Sequence, residues 1–240
     1  MKDDTRKHSL SAEKTIEAVL KEFLEEQRKR LKPATMRKYE DVIHLFRSSM
    51  DGYAYQSLDE QESALFDRLY NANGDEHREF CQVFGPEKIP ENVREFLDYF
   101  MVRKVACGKG LMQAAGTVIK KLGKWLKEKG YVESEDAGQM THRGATAAKE
   151  LPATEDLAYM LAEYADYTAV SCAEVLEDHF TVVATEPGKL HLSQFLQNDR
   201  ITISVPGEIS DACRIGWSIS GALGKSGRGW HIIEVWNVYP

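Results

Sequence analysis

Cysteine is scarce and scattered in this chain of 240 residues. Cys81, Cys107, Cys172 and Cys213 lie far apart and form no CxxC pair. That spacing argues against a disulfide framework or a cysteine-rich zinc site and suits a reducing compartment. No apolar run approaches the ~18 residues of a membrane span. The opening Met1-Lys-Asp-Asp-Thr-Arg-Lys-His lacks the apolar core of a secretory signal, so the expected location is cytoplasmic. There is no HxH, no HExxH and no Gly-x-Ser-x-Gly. Gly224-Lys225-Ser226 lacks the Walker glycine five positions earlier, where Ile219 stands, and reads as a hairpin turn. The seven histidines offer only His179 and His191 as a pair that a hairpin could bring together, with Asp178 or Cys172 nearby, which is too few donors for a metal. The sequence thus predicts no enzyme, no cofactor and no metal site.

What is present is ordinary for a folded protein: 42% hydrophobic, 29% charged and 10% aromatic residues. The net charge of −7 hides strong segregation. Residues 28–50 carry 7 positive and 2 negative side chains, and residues 92–132 carry 9 and 3. Residues 51–91 carry 3 and 10, and residues 133–178 carry 2 and 11. Two basic blocks therefore alternate with two acidic ones. Local potential rather than net charge decides whether a polyanion docks.

Helical periodicity dominates the first half. Ile16, Val19, Leu20, Phe23 and Leu24 form a stripe, with Ser9 or Ser11 as the expected cap and Arg28, Lys29 and Arg30 at the far end. Lys32-Pro33 breaks the chain, and a second helix is expected from about Pro33 to Met50. Asp59–Tyr70 and a short piece around Asp75–Val83 are further helix candidates. Val93, Phe96, Leu97, Phe100 and Met101 make another stripe. After the break at Cys107-Gly108-Lys109-Gly110, Leu111–Lys129 resumes helix, with Lys120, Lys121, Lys124 and Lys127 largely on its polar face and Gly130 as its stop. Residues 133–150 read as an acidic, glycine-containing linker, followed by an acidic helix to about Glu177.

From His179 the period changes to two. Phe180–Ala184, Leu190–Phe195, Ile201–Val205, Trp217–Leu223 and Trp230–Trp236 are strand candidates, with one helical turn at Glu208–Arg214. The aromatic residues Phe180, Phe195, Trp217, Trp230, Trp236 and Tyr239 supply its core, and the last strand is apolar on both faces. The expected fold is α+β: a helical domain over 10–132, a linker and connecting helix over 133–177, and a five-stranded β-barrel over 178–240. The order β-β-β-α-β-β resembles an OB-fold, with an SH3-like barrel as the nearest competitor.

Two segments carry a resemblance to a known family. Leu31-Lys-Pro-Ala-Thr35-Met-Arg37-Lys-Tyr39 is similar to the Ser-x-x-Thr-x-x-x-Tyr helix start of the N-terminal, SAM-like core-binding domain of phage integrases. Leu111–Leu126, ending in Trp125-Leu-Lys-Glu-Lys-Gly-Tyr131, is similar to that domain's closing helix. Gly108-Lys-Gly110 stands where that helix usually starts with Ser or Thr, and the resemblance covers about half of the chain. It implies one half of a clamp on duplex DNA, with Thr35, Arg37 and Lys38 facing phosphates from one hairpin and Lys120, Lys121 and Lys124 from the other. The family's catalytic arginines, lysine, His-x-x-Arg and tyrosine have no counterpart in the 108 residues after Val132. Arg28, Lys29, Arg30, Lys32, Lys109 and Lys127 extend the expected nucleic-acid contacts. Lys225 and Arg228 would add contacts from the barrel's last hairpin. The expectation is a non-catalytic DNA-binding protein without a membrane partner, its barrel adding nucleic-acid or protein contacts or self-association. The alternative is a protein-interaction adaptor or oligomerising protein that binds no DNA.

Overall fold

A computed structural model of the protein describes residues 14–167, 172–194, 200–227 and 229–240. The chain is α+β, with helices first and a five-stranded mixed sheet last. It forms two compact units. One comprises the described residues through Phe96 together with Ala114–Ala145, and the other comprises Leu97–Gln113 and Thr146–Pro240.

The first unit is helical. Helix α1 (Ile16–Arg28) is capped by Thr15, whose hydroxyl accepts the Ala18 N–H at 3.3 Å; Ser9 and Ser11 lie outside the described residues. Helix α2 (Pro33–Tyr53) follows with proline in its first turn. Its buried side is Met36, Tyr39, Val42, Ile43, Phe46 and Met50, as the 3.6-residue period requires. Helix α3 (Glu60–Tyr70) starts at a capping box: Asp59 accepts the N–H groups of Gln61 and Glu62 at 2.9 Å, and Glu62 accepts the Asp59 N–H at 3.2 Å. Such a cap is worth about 1 kcal/mol. Helix α4 (Phe80–Val83) is a single turn, held by the Cys81 N–H on Asp51 at 2.9 Å. The stripe at 93–101 lies mostly on a π-helix, Glu95–Phe100, followed by α5 (Met101–Arg103), and from Leu97 on it belongs to the second unit.

Helix α6 (Lys109–Lys129) ends as its sequence predicts. Gly130 adopts φ 72°, its N–H bonds to the Lys127 carbonyl, and the Tyr131 N–H reaches back to Leu126. This is a Schellman stop, which only glycine enters without strain. Phe23 ties the two basic elements together, its ring 6.1 Å from that of Tyr39 on α2 and 5.4 Å from that of Trp125 on α6.

The expected linker is absent. Helix α7 runs from Ser134 to Tyr167, through Pro152, where residues 133–150 were expected to be irregular. Ala137, Ala145, Ala147 and Ala148 favour helix, Glu135 and Asp136 suit its first turn, and Gly144 meets a packing need described below. The acidic helix also ends earlier than expected, since strand β1 begins at Glu174. The boundaries at 132 and 178 therefore do not separate the compact units, whose division falls inside α6 and α7.

The second unit holds β1 (Glu174–Glu186), β2 (Lys189–Gln194), β3 (Arg200–Ser204), β4 (Ser218–Ser226) and β5 (Gly229–Tyr239), with helix α8 (Gly207–Ala212) between β3 and β4 in sequence. Neighbour pairing runs β1-β2-β3-β5-β4 and returns to β1, so the sheet closes. Among the described residues only β3 and β5 pair in parallel, with Ile203 opposite Trp230. Pro187-Gly188 makes the β1–β2 turn, with Gly188 at φ 76°. Phe180, Val182, Leu190, Leu192, Ile203, Trp217, Ile219 and Leu223 form the core, and Leu157, Leu161 and Ala165 of α7 belong to it. Phe195 lies outside the described residues.

Candidate nucleic-acid interface

The first basic hairpin forms at the α1–α2 junction. Its cations divide by partner. Arg28 pairs with Glu40 at 2.6 Å, and Arg30 donates to the side chain of buried Gln27, with Nε at 3.0 Å. Lys29, Lys32, Arg37 and Lys38 are exposed and make no ion pair or side-chain hydrogen bond among the described residues. Thr35 is exposed in the first turn of α2, which carries no acidic residue and no side-chain cap. Of the backbone donors at this start, Pro33 has none and the Thr35 N–H already bonds to the Lys32 carbonyl at 3.0 Å, while Met36 makes the first regular helix bond to the same carbonyl at 2.9 Å.

On α6 the lysines also divide. Lys120, Lys124 and Lys127, spaced four and three residues apart, form one stripe. Lys121 lies about 100° further round the helix and is exposed by itself. None of the four makes an ion pair or side-chain hydrogen bond among the described residues. Lys129, by contrast, is held by Glu26 and Glu22 and sits 5.5 Å from the Trp125 ring. Trp125 Nε1 donates to Glu26 at 2.7 Å, and the Tyr131 hydroxyl donates to Glu22 at 2.8 Å. Hydrogen bonds from Lys14 first and Tyr131 second hold the Glu22 carboxyl down at about 2. Lys109 pairs with Asp156 and belongs to the other compact unit, apart from the remaining α6 lysines.

The lysine stripe faces a groove of about 520 Å³ between α6 and the start of α7, within the first unit. Lys120, Lys124 and Lys127 line one side; Ser134, Thr141 and His142 line the other; Ala137, Gly138 and Ala145 complete it. No carboxylate is among the lining residues. The helices approach closely through glycine. A Cβ on Gly144 would stand 2.6 Å from the Lys120 nitrogen and 2.7 Å from the Gly116 oxygen, and one on Gly123 would stand 2.9 Å from Met140 Cβ.

Sequence reasoning missed this groove because it placed a linker where one wall stands. The recoverable signal was the small residues Ala137, Thr141, Gly144 and Ala148 at spacings of four, three and four, which mark a close helix contact.

In the second unit, Lys225 ends β4, 3.4 Å from Glu174 and 5.3 Å from the Trp230 ring, so its charge is partly engaged. Arg228 lies outside the described residues. His179 and His191, which a hairpin could have paired, do not meet, because the register sets His191 opposite Ala184, five residues along β1 from His179. His179 falls opposite Ser220 on β4, with Nε2 3.4 Å from its hydroxyl, while His191 contacts Thr202 at 2.9 Å and Glu186 at 3.3 Å. Burial holds the Cys213 thiol up at about 11, outside the range of a reactive thiolate. No helix is long and apolar enough to cross a membrane among the described residues. No protein-family model, no curated protein and no solved structure matches this chain.

Proposed function

We propose that the chain is a non-catalytic DNA-binding protein that holds duplex phosphates through the α1–α2 junction and the lysines of α6. The observation that carries this reading is the partition of its cations. Lys29, Lys32, Arg37 and Lys38 at one element, and Lys120, Lys121, Lys124 and Lys127 at the other, have no ion-pair partner among the described residues, while Arg28, Lys109, Lys129 and Lys225 are paired. A lysine with no carboxylate partner can neutralise a phosphate and so release cations condensed on the DNA, which is the source of salt-dependent affinity. Phosphate contacts of this kind fix position and carry no sequence information. The helical unit corresponds in this reading to the integrase-like clamp, and the strand order β1-β2-β3-β5-β4 with α8 after β3 supports an OB-like barrel.

The test is fluorescence anisotropy with a generic duplex and its single strand at low and moderate salt. Charge reversal at Lys120, Lys121 and Lys124 is expected to weaken duplex binding and flatten its salt slope. Unchanged affinity overturns the reading. A preference for the single strand moves the function to the barrel.

A protein-interaction role is the second reading. The observation favouring it is the apolar exposure of the second unit, where Ile215 is 68% and Trp236 42% exposed. Dimerisation lost on Trp236→Ser, without salt-sensitive DNA binding, is its expected signature.

A further inference from the structure

The groove between α6 and α7 differs from an ordinary solvated lysine face in three respects. Its three ammonium groups lie on one stripe spanning about 10 Å of helix, where like charges one turn apart destabilise an isolated helix. The facing wall offers the hydroxyls of Ser134 and Thr141 and the imidazole of His142, none engaged in a side-chain hydrogen bond among the described residues. Gly138 is the third feature. It sits inside α7, where glycine costs about 1 kcal/mol relative to alanine. Gly123 and Gly144 answer to the close approach of α6, but a Cβ on Gly138 would meet nothing within 4 Å. Packing does not require it; its effect is to keep the groove open.

We propose that this groove is a built seat for a short chain of linked phosphates. The lysines follow one another along the helix at rises of about 6 and 4.5 Å, which suits an elongated anion better than a single orthophosphate. The lysines neutralise its charge, while Ser134 and Thr141 donate to its outer oxygens. The same chemistry is presented by a free condensed phosphate and by one strand of a nucleic-acid backbone. The second source rests on the DNA-binding reading above, and the first does not.

The experiment is calorimetric titration of the full chain with sodium tripolyphosphate and with orthophosphate, beside duplex anisotropy on the same samples. The variants are Lys124→Gln, which removes charge, and Gly138→Leu, which fills the groove without changing charge and raises helix propensity. Arg68→Gln is the control, and circular dichroism verifies the fold of each. One-site tripolyphosphate binding, tighter than orthophosphate, is expected, weakened about tenfold or more by Lys124→Gln. Gly138→Leu is expected to weaken it several-fold and Arg68→Gln, on α3 and outside both basic elements, to leave it unchanged. No saturable binding, or an affinity indifferent to Gly138→Leu, overturns the seat. Tripolyphosphate binding without duplex binding upholds the seat with a free phosphate chain as ligand and overturns the DNA reading. Loss of both ligands in Gly138→Leu identifies the strand backbone as occupant. Duplex binding that survives Gly138→Leu, with no tripolyphosphate bound, overturns the seat and leaves the DNA reading standing.

Discussion

The backbone of Lys120 occupies the space that a side chain on Gly144 would need: a Cβ there would stand 2.6 Å from the Lys120 nitrogen. The helix carrying the lysine stripe and the helix facing it are thus in backbone contact, and the groove's width is set by a residue without a side chain.

Gly144→Ala and Gly138→Ala should therefore have opposite effects on stability. The obstacle at Gly144 is main chain, so relief requires α6 to move; overpacking of this kind costs about 1–3 kcal/mol. At Gly138 the added methyl meets nothing, and alanine gains up to about 1 kcal/mol in helix propensity. Urea midpoints measured on the two variants check the sign of each.

Glu22 gives the first unit an acid sensitivity. Its carboxyl is held at about 2, below its ordinary 4.5, by Lys14 and then Tyr131, with Lys129 as a further partner. A depressed carboxyl contributes stability that is present above its unfolded value and is lost as pH falls through the folded one. The melting temperature of the parent chain should thus exceed that of Glu22→Gln at pH 6, and the difference should shrink between pH 4.5 and 2. A pH-independent difference would show that Glu22 acts through packing.

Gly221 lies in β4 at an irregularity in its pairing with β5, where a Cβ would stand 2.2 Å from the Glu234 carbonyl oxygen. Gly221→Ala should open the β4–β5 ladder and lower the melting temperature of the second unit. Gly207→Ala, whose Cβ meets nothing within 4 Å, should change it little.

The strands were legible because alternation is a local signal that burial on one face enforces. Leu190 and Leu192, then Ile201 and Ile203, alternate in sequence and point inward in the sheet. Helices α1, α2, α3 and α6 were legible from their stripes, from the Asp59 cap and from the Gly130 stop. The second half of α7 was legible as an acidic helix but its first half was not, because Leu157, Leu161 and Ala165 near its end pack in the barrel core while Ala137, Thr141 and Gly144 near its start face α6. Two different contacts along one helix blur a single hydrophobic stripe, and small contact residues imitate a linker. The basic blocks were legible as charge, but the division into paired and free cations was not, since Lys109 meets Asp156 and Lys225 meets Glu174 only through the fold.

The closed sheet is not equally strong around its circumference. Between β1 and β4 the register holds from Glu174–Lys225 to Thr181–Ser218, whereas among the described residues the β3–β5 ladder has the single pair Ile203 and Trp230. The cylinder therefore has a seam. Thermal fluctuation is expected to part it there first, at a free energy below that of global unfolding. Amide hydrogen exchange will be fastest among the barrel strands at β3. Each opening exposes unpaired main-chain groups of β3, a transient edge to which an extended segment can add as a further strand.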